Sequence, residues 1–234
     1  MQAIILAGGK GTRLRPYTNI IPKPLLPIDN MPILEIILRQ LREYKFTEVV
    51  ITIGHLGEII KAYFGDGKKF GLKIRYSLEK KPLGTVGALS IVNNLDDDFL
   101  VMNGDILCNI HFSDIYNFHI KNHKKVTIVI CKKSLKLSLG VIKCKDGKLV
   151  DYIEKPEYKF DVSTGIYMLS KEVVSLIPFK EYYDFPTLIK NIIIEEDINV
   201  YRFNGYWFDI GTPEDYNQVQ DSFVKLKGAF LKKR

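Results

Sequence analysis

Ala3-Ile4-Ile5-Leu6-Ala7 is an apolar run that leads directly into the turn Gly8-Gly9-Lys10-Gly11-Thr12-Arg13-Leu14-Arg15-Pro16. Three glycines within four residues let the backbone adopt positive φ and approach a ligand closely, so that successive N–H groups can converge on phosphate oxygens. Arg13, Arg15 and the lysine of Pro22-Lys23-Pro24 add three cations to the same region. The stretch predicts a buried strand followed by a phosphate-binding turn.

The spacing of this turn differs from the two most common phosphate loops. The chain has no G-x-x-x-x-G-K-[ST] motif, and Gly8 to Gly11 is too compact for G-x-G-x-x-G. Residue for residue, the segment resembles the signature of the sugar-1-phosphate nucleotidyltransferases, L-A-G-G-x-G-T-R-L-x-P followed by P-K-P. We therefore expect a nucleotide-diphospho-sugar transferase fold and a transfer of a nucleotidyl group to a sugar 1-phosphate.

The resemblance implies a role for most residues of this segment. In the family the loop wraps the nucleoside triphosphate, the arginine holds the departing pyrophosphate and the lysine of P-K-P contacts phosphate. Carried over, the last two are Arg13 and Lys23. The implied nucleotide-binding residues of the segment are Leu6, Ala7, Gly8, Gly9, Gly11, Thr12 and Arg13.

Periodicity predicts an α/β fold. Apolar strands at 3–7, 49–53, 72–76 and 99–102 alternate with helical patterns that begin at Pro32 and lie near 58–64 and 85–95. Continuous apolar strands separated by helices predict a Rossmann-like, mostly parallel sheet with helices on both faces. The second half is richer in strands (126–131, 141–144, 149–153 and 163–169), followed by helices near 171–176 and 185–194, and we interpret it as a small sugar-binding subregion.

Length and composition favour one domain. The chain has 234 residues, 46% of them hydrophobic, and no linker or repeat. We expect a single nucleotidyltransferase domain over 1–234, with a nucleotide-binding half over about 1–110, a sugar-phosphate-binding half over about 111–220 and a basic tail over 221–234. No run of 18 apolar residues and no signal-peptide pattern occurs, so we expect a cytoplasmic protein with no membrane partner.

The formal charge of +7 comes mostly from the C-terminal end. Five basic residues there are Lys225, Lys227, Lys232, Lys233 and Arg234; without them 29 basic residues face 27 acidic ones. The body is therefore nearly neutral, and we expect no nucleic-acid partner. A basic tail is typical of a solvated chain end, and a contact to an anionic partner stays open as the alternative.

Two aspartates are candidate metal ligands. Val101-Met102-Asn103-Gly104-Asp105 is a strand that ends in a carboxylate, and it delivers Asp105 to the sheet edge where the glycine-rich turn also falls. Asp209 precedes Thr212-Pro213-Glu214-Asp215, a pattern that predicts a capped helix but does not explain Asp209. The family resemblance implies that Asp105 and Asp209 bind Mg²⁺. The implied catalytic set is Arg13, Lys23, Asp105, Lys155 and Asp209.

The sugar side is expected around Ile153-Glu154-Lys155-Pro156. In the family this glutamate accepts hydrogen bonds from sugar hydroxyls and the lysine neutralises the sugar phosphate. The implied sugar-phosphate-binding residues are Asn103, Gly140, Glu154, Lys155, Thr164 and Gly165. The chain departs from the family at Ser163 and Thr164, where an asparagine and a small residue are frequent.

Base specificity rests on Glu79 and the Lys80-Lys81-Pro82-Leu83-Gly84-Thr85 stretch that follows it. Guanine offers two adjacent donors on its Watson–Crick edge, which suit a carboxylate, whereas uracil offers one. Glu79, Pro82, Gly84 and Thr85 are the predicted base-side residues, with GTP favoured over UTP and CTP; a plain surface charge at Glu79 is the alternative.

The short length resembles the mannose-1-phosphate and heptose-1-phosphate guanylyltransferases. The expected partners are a nucleoside triphosphate and a sugar 1-phosphate, with a homodimer possible. A catalytically silent subunit that senses nucleotide sugar is the competing class of function.

Overall fold

The structure is a computed structural model that describes residues 1–231. Lys232, Lys233 and Arg234, which belong to the predicted basic tail, lie outside the described residues. No helix within the described range is long and apolar enough to cross a membrane.

The described chain alternates strands and helices. The strands are β1 Gln2–Ala7, β2 Pro27–Ile28, β3 Met31–Pro32, β4 Glu48–Ile53, β5 Lys73–Leu78, β6 Asp98–Asn103, β7 Ile106–Cys108, β8 Val126–Lys136, β9 Val141–Lys145, β10 Lys148–Ile153, β11 Glu157–Ser170, β12 Asn199–Arg202 and β13 Trp207–Asp209. The helices are α1 Ile33–Glu43, α2 Gly57–Phe64, α3 Gly84–Gly87, α4 Phe112–Asn122, α5 Phe185–Glu195 and α6 Pro213–Phe230. Short 3₁₀ helices lie at Thr12–Leu14, Tyr17–Asn19, Lys23–Leu25, Lys68–Phe70, Ala88–Ile91 and Lys171–Leu176.

A seven-stranded sheet in the order β12-β8-β11-β6-β1-β4-β5 forms the centre of the fold. β1 is parallel to β4 and β6, β4 to β5, and β8 to β12, whereas β11 is antiparallel to both of its neighbours. The prediction of a mostly parallel α/β sheet is therefore confirmed. β1 is an interior strand between β6 and β4. The glycine-rich turn that follows it therefore lies at the carboxyl ends of the parallel strands, away from both end strands of the sheet.

Side chains of β1 alternate between two cores, one on each face of the sheet. Ile5 packs in the larger core with residues of α1, α4 and α6, such as Leu34, Ile115 and Phe223. Ile4 packs in the second core with residues of α3 and α5, such as Val86. Both isoleucines are fully buried, which is why this strand reads as a continuous apolar run.

The second half contains the strand-rich subregion that the sequence predicts. β9 and β10 form an antiparallel hairpin in which Lys145 pairs with Lys148. The two residues between them, Asp146 and Gly147, both have positive φ, as a tight two-residue hairpin turn requires. The outer halves of β8 and β11 pair with each other and extend this exposed subregion.

Two expectations from the sequence are wrong. The helix expected near 85–95 is shorter: α3 ends at Gly87 and a 3₁₀ turn follows over Ala88–Ile91. The N–H groups of Val86 and Gly87, which have no acceptor within the first turn of α3, donate to the Tyr183 carbonyl and anchor the start of the helix. The helix expected near 171–176 is present as a 3₁₀ helix. Residues 221–230, expected in a basic tail, are the second half of α6, in which Phe223 and Phe230 are buried.

Candidate active site

The glycine-rich turn is held in place by contacts with the segment that follows it. Gly11 has φ 59°, and its carbonyl accepts a 2.8 Å hydrogen bond from the Thr18 hydroxyl. A Cβ on Gly11 would lie 2.9 Å from Thr18 Cγ2, so both the conformation and the space require glycine. Leu14 is fully buried and anchors the turn to the larger core.

A cavity of about 250 Å³ opens beside this turn. Eight of the residues predicted from the sequence line it, namely Leu6, Ala7, Gly9, Gly11, Thr12, Arg13, Lys23 and Asp105. Three further lining residues were not assigned from the sequence, namely Pro24, Gly104 and Gly211. Each of the three lies within a sequence motif that also contains a predicted site residue. Its position in that motif, and not the chemistry of its side chain, could have identified it from the sequence. We call this space the phosphate cavity.

The two candidate metal ligands are neighbours in space, and one of them, Asp105, lines this cavity. The β7–β13 pairing places Asp209 opposite Ile106, the residue after Asp105. The backbone N–H of Ile210 also donates to the Asp105 carbonyl over 3.3 Å. One short antiparallel strand pair therefore brings together in space two aspartates that are far apart in sequence.

Charges at the cavity influence one another. The Lys23 ammonium forms an ion pair with Asp105 Oδ2, and both side chains are largely buried. Burial raises the pKa of Asp209, and the neighbouring Asp105 carboxylate raises this pKa further, whereas Lys23 and Arg13 lower it. The four predicted catalytic groups on this side, Arg13, Lys23, Asp105 and Asp209, thus share one electrostatic environment.

Arg13 and Gly211 are in close contact at the rim. A Cβ on Gly211 would lie 3.2 Å from Arg13 Nη1, so a side chain at this position would press on the guanidinium. Gly211 directly precedes α6, whose Thr212 and Asp215 form a reciprocal capping box. The Asp215 carboxylate also accepts from the Gly211 N–H over 3.2 Å, so the capped helix fixes the backbone beside Arg13.

The donor set fits a magnesium ion. Asp105 Oδ1 is buried and has no hydrogen-bond partner within the described residues, an arrangement that leaves an acceptor aimed at nothing in the protein. No group of three or more His, Cys, Asp or Glu side chains in residues 1–231 could hold a metal. Mg²⁺ is commonly bound through one or two carboxylates together with substrate phosphates, and Asp105 with Asp209 supply that number.

Glu79 lies against the glycine-rich turn. A Cβ on Gly8 would fall 2.1 Å from Glu79 Oε1, so the carboxylate occupies the space that a side chain at position 8 would need. Glu79 Oε2 accepts a 3.2 Å hydrogen bond from the Leu83 N–H. Burial raises the pKa of Glu79. The structure therefore brings Glu79 and Gly8, two of the predicted nucleotide-binding residues, together.

The other predicted base-side residues have different surroundings. Gly84 has φ 78°, and a Cβ there would lie 2.5 Å from the Tyr183 carbonyl oxygen. The Thr85 hydroxyl accepts a 3.0 Å hydrogen bond from the Phe185 N–H, and Pro82 is exposed. Gly84 and Thr85 are thus used to pack α3 against the start of α5, and the Thr85 hydroxyl is engaged there.

Gly140, Glu154 and Lys155 form a separate group on the strand-rich subregion. A Cβ on Gly140 would lie 2.3 Å from the Tyr152 hydroxyl oxygen, and that hydroxyl donates to Glu154 Oε2 over 3.0 Å. The Lys155 ammonium is 3.8 Å from Glu154 Oε1. Their side chains are 67% and 58% exposed for Lys155 and Glu154, and neither residue lines the phosphate cavity.

Asn103, Thr164 and Gly165 meet at the end of β6. A Cβ on Gly165, which has φ 74°, would lie 2.7 Å from Asn103 Nδ2, so these two predicted sugar-side residues are in contact. Thr164 is fully buried; its hydroxyl donates to the Val129 carbonyl and its own carbonyl accepts from Trp207 Nε1. These hydrogen bonds of Thr164 hold β8, β11 and β13 together, and the assignment of Thr164 to the sugar side stays a prediction.

A family model described as Nucleotidyl transferase matches residues 2–225. The chain belongs to this nucleotidyl transferase family. The family resemblance carried by residues 3–24 is thus confirmed over nearly the whole chain.

Named relatives fall into two base classes. A UTP–glucose-1-phosphate uridylyltransferase of Synechocystis sp. is 35% identical over 94% of this chain. A mannose-1-phosphate guanyltransferase of Yarrowia lipolytica is 33% identical over 92% of it. This chain spans 62% of the length of each of these two. A D-glycero-alpha-D-manno-heptose 1-phosphate guanylyltransferase of Campylobacter jejuni is 33% identical, and the match covers 92% of this chain and 97% of the relative.

Solved structures agree on the fold. HddC from Yersinia pseudotuberculosis has a TM-score of 0.74 at 23% identity, and the match covers 95% of this chain and 99% of HddC. The nucleotide-diphospho-sugar transferase fold that the sequence predicts is thus confirmed.

Proposed function

We propose that this protein transfers a nucleotidyl group, preferably from GTP, to a sugar 1-phosphate resembling mannose or heptose 1-phosphate. The observation that supports this most strongly is the phosphate cavity itself. It joins the glycine-rich turn, Arg13, Lys23 and Asp105, with Asp209 beside them, in a chain that belongs to the nucleotidyl transferase family.

In the proposed reaction, an oxygen of the sugar 1-phosphate attacks the α-phosphorus of the triphosphate in line. A new P–O bond forms to the sugar phosphate while the bond to the β-phosphate oxygen breaks and pyrophosphate leaves. The two substrates bring roughly six negative charges together, so positioning and charge neutralisation carry the catalysis. Arg13 and Lys23 offset charge on the leaving pyrophosphate.

Asp105 and Asp209 are the residues that would hold Mg²⁺, which when bound neutralises charge on phosphate oxygens. On the acceptor side, Lys155 neutralises the sugar phosphate and Glu154 accepts hydrogen bonds from sugar hydroxyls. Asn103, which contacts Gly165, supplies a side-chain amide to the sugar phosphate where the nucleotide-binding and sugar-phosphate-binding halves meet.

The guanine preference rests on Glu79, whose carboxylate lies beside Gly8. Several of the curated relatives are named as guanylyltransferases. The uridylyltransferase from Synechocystis sp. supports UTP as the alternative donor. A cytoplasmic location and a homodimer stay predictions.

The test is a pyrophosphate-release assay with four nucleoside triphosphates against mannose, heptose, glucose and N-acetylglucosamine 1-phosphates. We expect the highest kcat/KM for GTP with mannose or heptose 1-phosphate. A preference for UTP or CTP would overturn the guanylyl assignment. Binding of nucleotide sugar without turnover of any pair would instead favour a silent regulatory subunit.

A further inference from the structure

A second and larger cavity, of about 540 Å³, lies beside the edge strand β5. Its lining comes from β4 and β5, from the 80–93 segment and from Lys180, and it shares no lining residue with the phosphate cavity. The volume is in the range of cavities that bind small organic molecules. We call it the β5 cavity.

The inner wall of the β5 cavity is apolar. Val50, Leu83 and Val92 line it, all three are buried, and Val50 and Val92 belong to the second core. An apolar wall of this kind favours a ligand with an apolar body, because its binding removes hydrocarbon surface from water.

The mouth of the β5 cavity is cationic. Lys80, Lys81 and Lys180 are exposed lining residues, and within residues 1–231 no carboxylate lies within ion-pair distance of their ammonium groups. A fourth cation, Arg75, is already paired with Glu48. No lining residue is acidic, so the three unpaired ammonium groups set a positive potential at the entrance.

We propose that the β5 cavity binds a small organic anion, with its apolar body against Val50, Leu83 and Val92 and its carboxylate, phosphate or sulfonate between Lys81 and Lys180. Neither a bare inorganic ion nor a wholly apolar molecule uses both parts of the wall. The cavity is a single space of small-molecule size, so an extended polymer such as nucleic acid does not fit the geometry.

Leu83 links the β5 cavity to the base side of the phosphate cavity. Its side chain lines the β5 cavity, while its N–H donates to Glu79 Oε2, whose carboxylate lies against Gly8. A ligand that presses on Leu83 and draws on Lys80 and Lys81 therefore changes how Glu79 is held. The occupied β5 cavity changes the KM for the triphosphate; this second step rests on the proposed function.

The binding step is tested without any activity. The full chain is titrated with 8-anilinonaphthalene-1-sulfonate, an apolar sulfonate, by fluorescence and calorimetry. We expect one site, whose affinity for the sulfonate falls at least tenfold in Lys81→Glu/Lys180→Glu, the rim variant of the β5 cavity. The matched control is Lys121→Glu/Lys225→Glu, which makes the same charge change at exposed helix positions outside the cavity and should bind within twofold of the unmodified chain.

Three results would overturn the binding step. The first is an unchanged affinity in the rim variant, and the second is an equal loss in the control variant. Displacement of the sulfonate by inorganic phosphate at matched ionic strength would also overturn it, since a plain cation cluster would then account for binding. The neutral Lys81→Met/Lys180→Met variant repeats the test without introduced acidic charge.

The coupling step is tested by steady-state kinetics with the preferred triphosphate. We expect saturating sulfonate to change its KM at least threefold in the unmodified chain, with little change in kcat and no change in the rim variant. An unmoved KM beside intact 1:1 binding would overturn the coupling alone. A chain that turns over no triphosphate would overturn the proposed function and leave the binding result standing.

Discussion

The phosphate cavity and the Glu154–Lys155 turn are both assigned to substrate, yet they are built differently. The phosphate cavity is formed where the buried strands β1 and β6 end, and its Lys23 side chain is 11% exposed. The turn lies between the exposed strands β10 and β11, and its Lys155 side chain is 67% exposed. Charges near the protein interior interact more strongly than charges in water.

This difference predicts that the two regions affect different kinetic constants. A largely buried ion pair such as Lys23 with Asp105 can be preorganised for charge that develops in the transition state, which affects kcat. An exposed pair mainly helps to hold the ground-state substrate, which affects KM. Substitutions in the two regions should therefore separate in kinetics.

The largest expected effect is that of Arg13→Ala. We expect the fold to be kept and kcat to fall on the order of 10³-fold, the scale for loss of a cation that stabilises a transferring phosphoryl group. Arg15→Ala is the matched control, because Arg15 is an exposed arginine of the same turn, as Arg13 is, but does not line the phosphate cavity. Near-normal turnover in folded Arg13→Ala would remove Arg13 from the mechanism.

Next come the two candidate metal ligands. Asp105→Asn and Asp209→Asn should each lower kcat/KM about 100-fold or more and raise the Mg²⁺ concentration needed for half-maximal rate, because one anionic oxygen ligand is lost. The assay is a Mg²⁺ titration of each variant beside Asp221→Asn, which removes an acidic charge at an exposed position of α6 that does not line the phosphate cavity. Full activity in excess chelator would contradict the metal requirement altogether.

Lys155→Ala probes the exposed region. We expect the KM for the sugar 1-phosphate to rise about fivefold with a smaller change in kcat, since an exposed cation contributes about 1 kcal/mol of binding. Lys159→Ala on β11 is the control, being exposed and only four residues away. If Lys155→Ala lowered kcat as much as Arg13→Ala, the proposed division between the two regions would be wrong.

Glu79→Gln gives a smaller and more selective effect. The change replaces one acceptor oxygen by a donor amide, which opposes an N–H group of guanine and costs roughly 1–3 kcal/mol, about tenfold or more in kcat/KM for GTP. UTP should lose less, because uracil presents one donor flanked by acceptors. The quantity to measure is the GTP-to-UTP ratio of kcat/KM before and after the change. A constant ratio would mean that Glu79 does not contact the base.

The sequence predicts best where local pattern and burial agree. β1 and its turn are recognisable because a buried central strand must be apolar and a phosphate-binding turn needs glycine. The Asp146-Gly147 hairpin is predictable for the same local reason. The two aspartates were found from the motifs that contain them, but their adjacency depends on the β7–β13 pairing, which no local pattern encodes.

The structure differs from the sequence-based expectations where contacts between residues distant in sequence determine the local conformation. The helix near 85–95 is anchored at its start by the Tyr183 carbonyl, about 100 residues away in sequence, which accepts from the N–H groups of Val86 and Gly87. Its change to a 3₁₀ turn after Gly87 is not visible in the sequence periodicity. The buried hydrogen bonds of Thr164 to Val129 and Trp207 likewise depend on partners that are distant in sequence. The basic residues near the C-terminus obscured the apolar positions Val219, Phe223 and Phe230, which bury one side of α6.

The surroundings of His119 also depend on residues that are distant in sequence, and no local sequence pattern assigns this histidine a function. It is buried at the opposite end of β6 from Asp105, with Nδ1 2.8 Å from the Thr127 hydroxyl and Nε2 3.1 Å from Asp98 Oδ1. The Ser170 hydroxyl donates to the same Asp98 oxygen over 2.6 Å. Burial lowers the pKa of His119, although Asp98 opposes this effect. The site therefore holds a neutral imidazole.

The smallest predicted effect follows from this lowered pKa. In the unfolded chain a histidine has a pKa near 6.5, so acidification protonates the unfolded state before the folded one. The free energy of unfolding should thus fall as pH drops from 7.5 to 5.5, and it should fall more in the unmodified chain than in His119→Gln. Urea unfolding of both at several pH values measures this, and other titrating groups cancel in the difference. A gap that instead widened in favour of the unmodified chain on acidification would mean that Asp98 outweighs burial and that the imidazole is held as a cation.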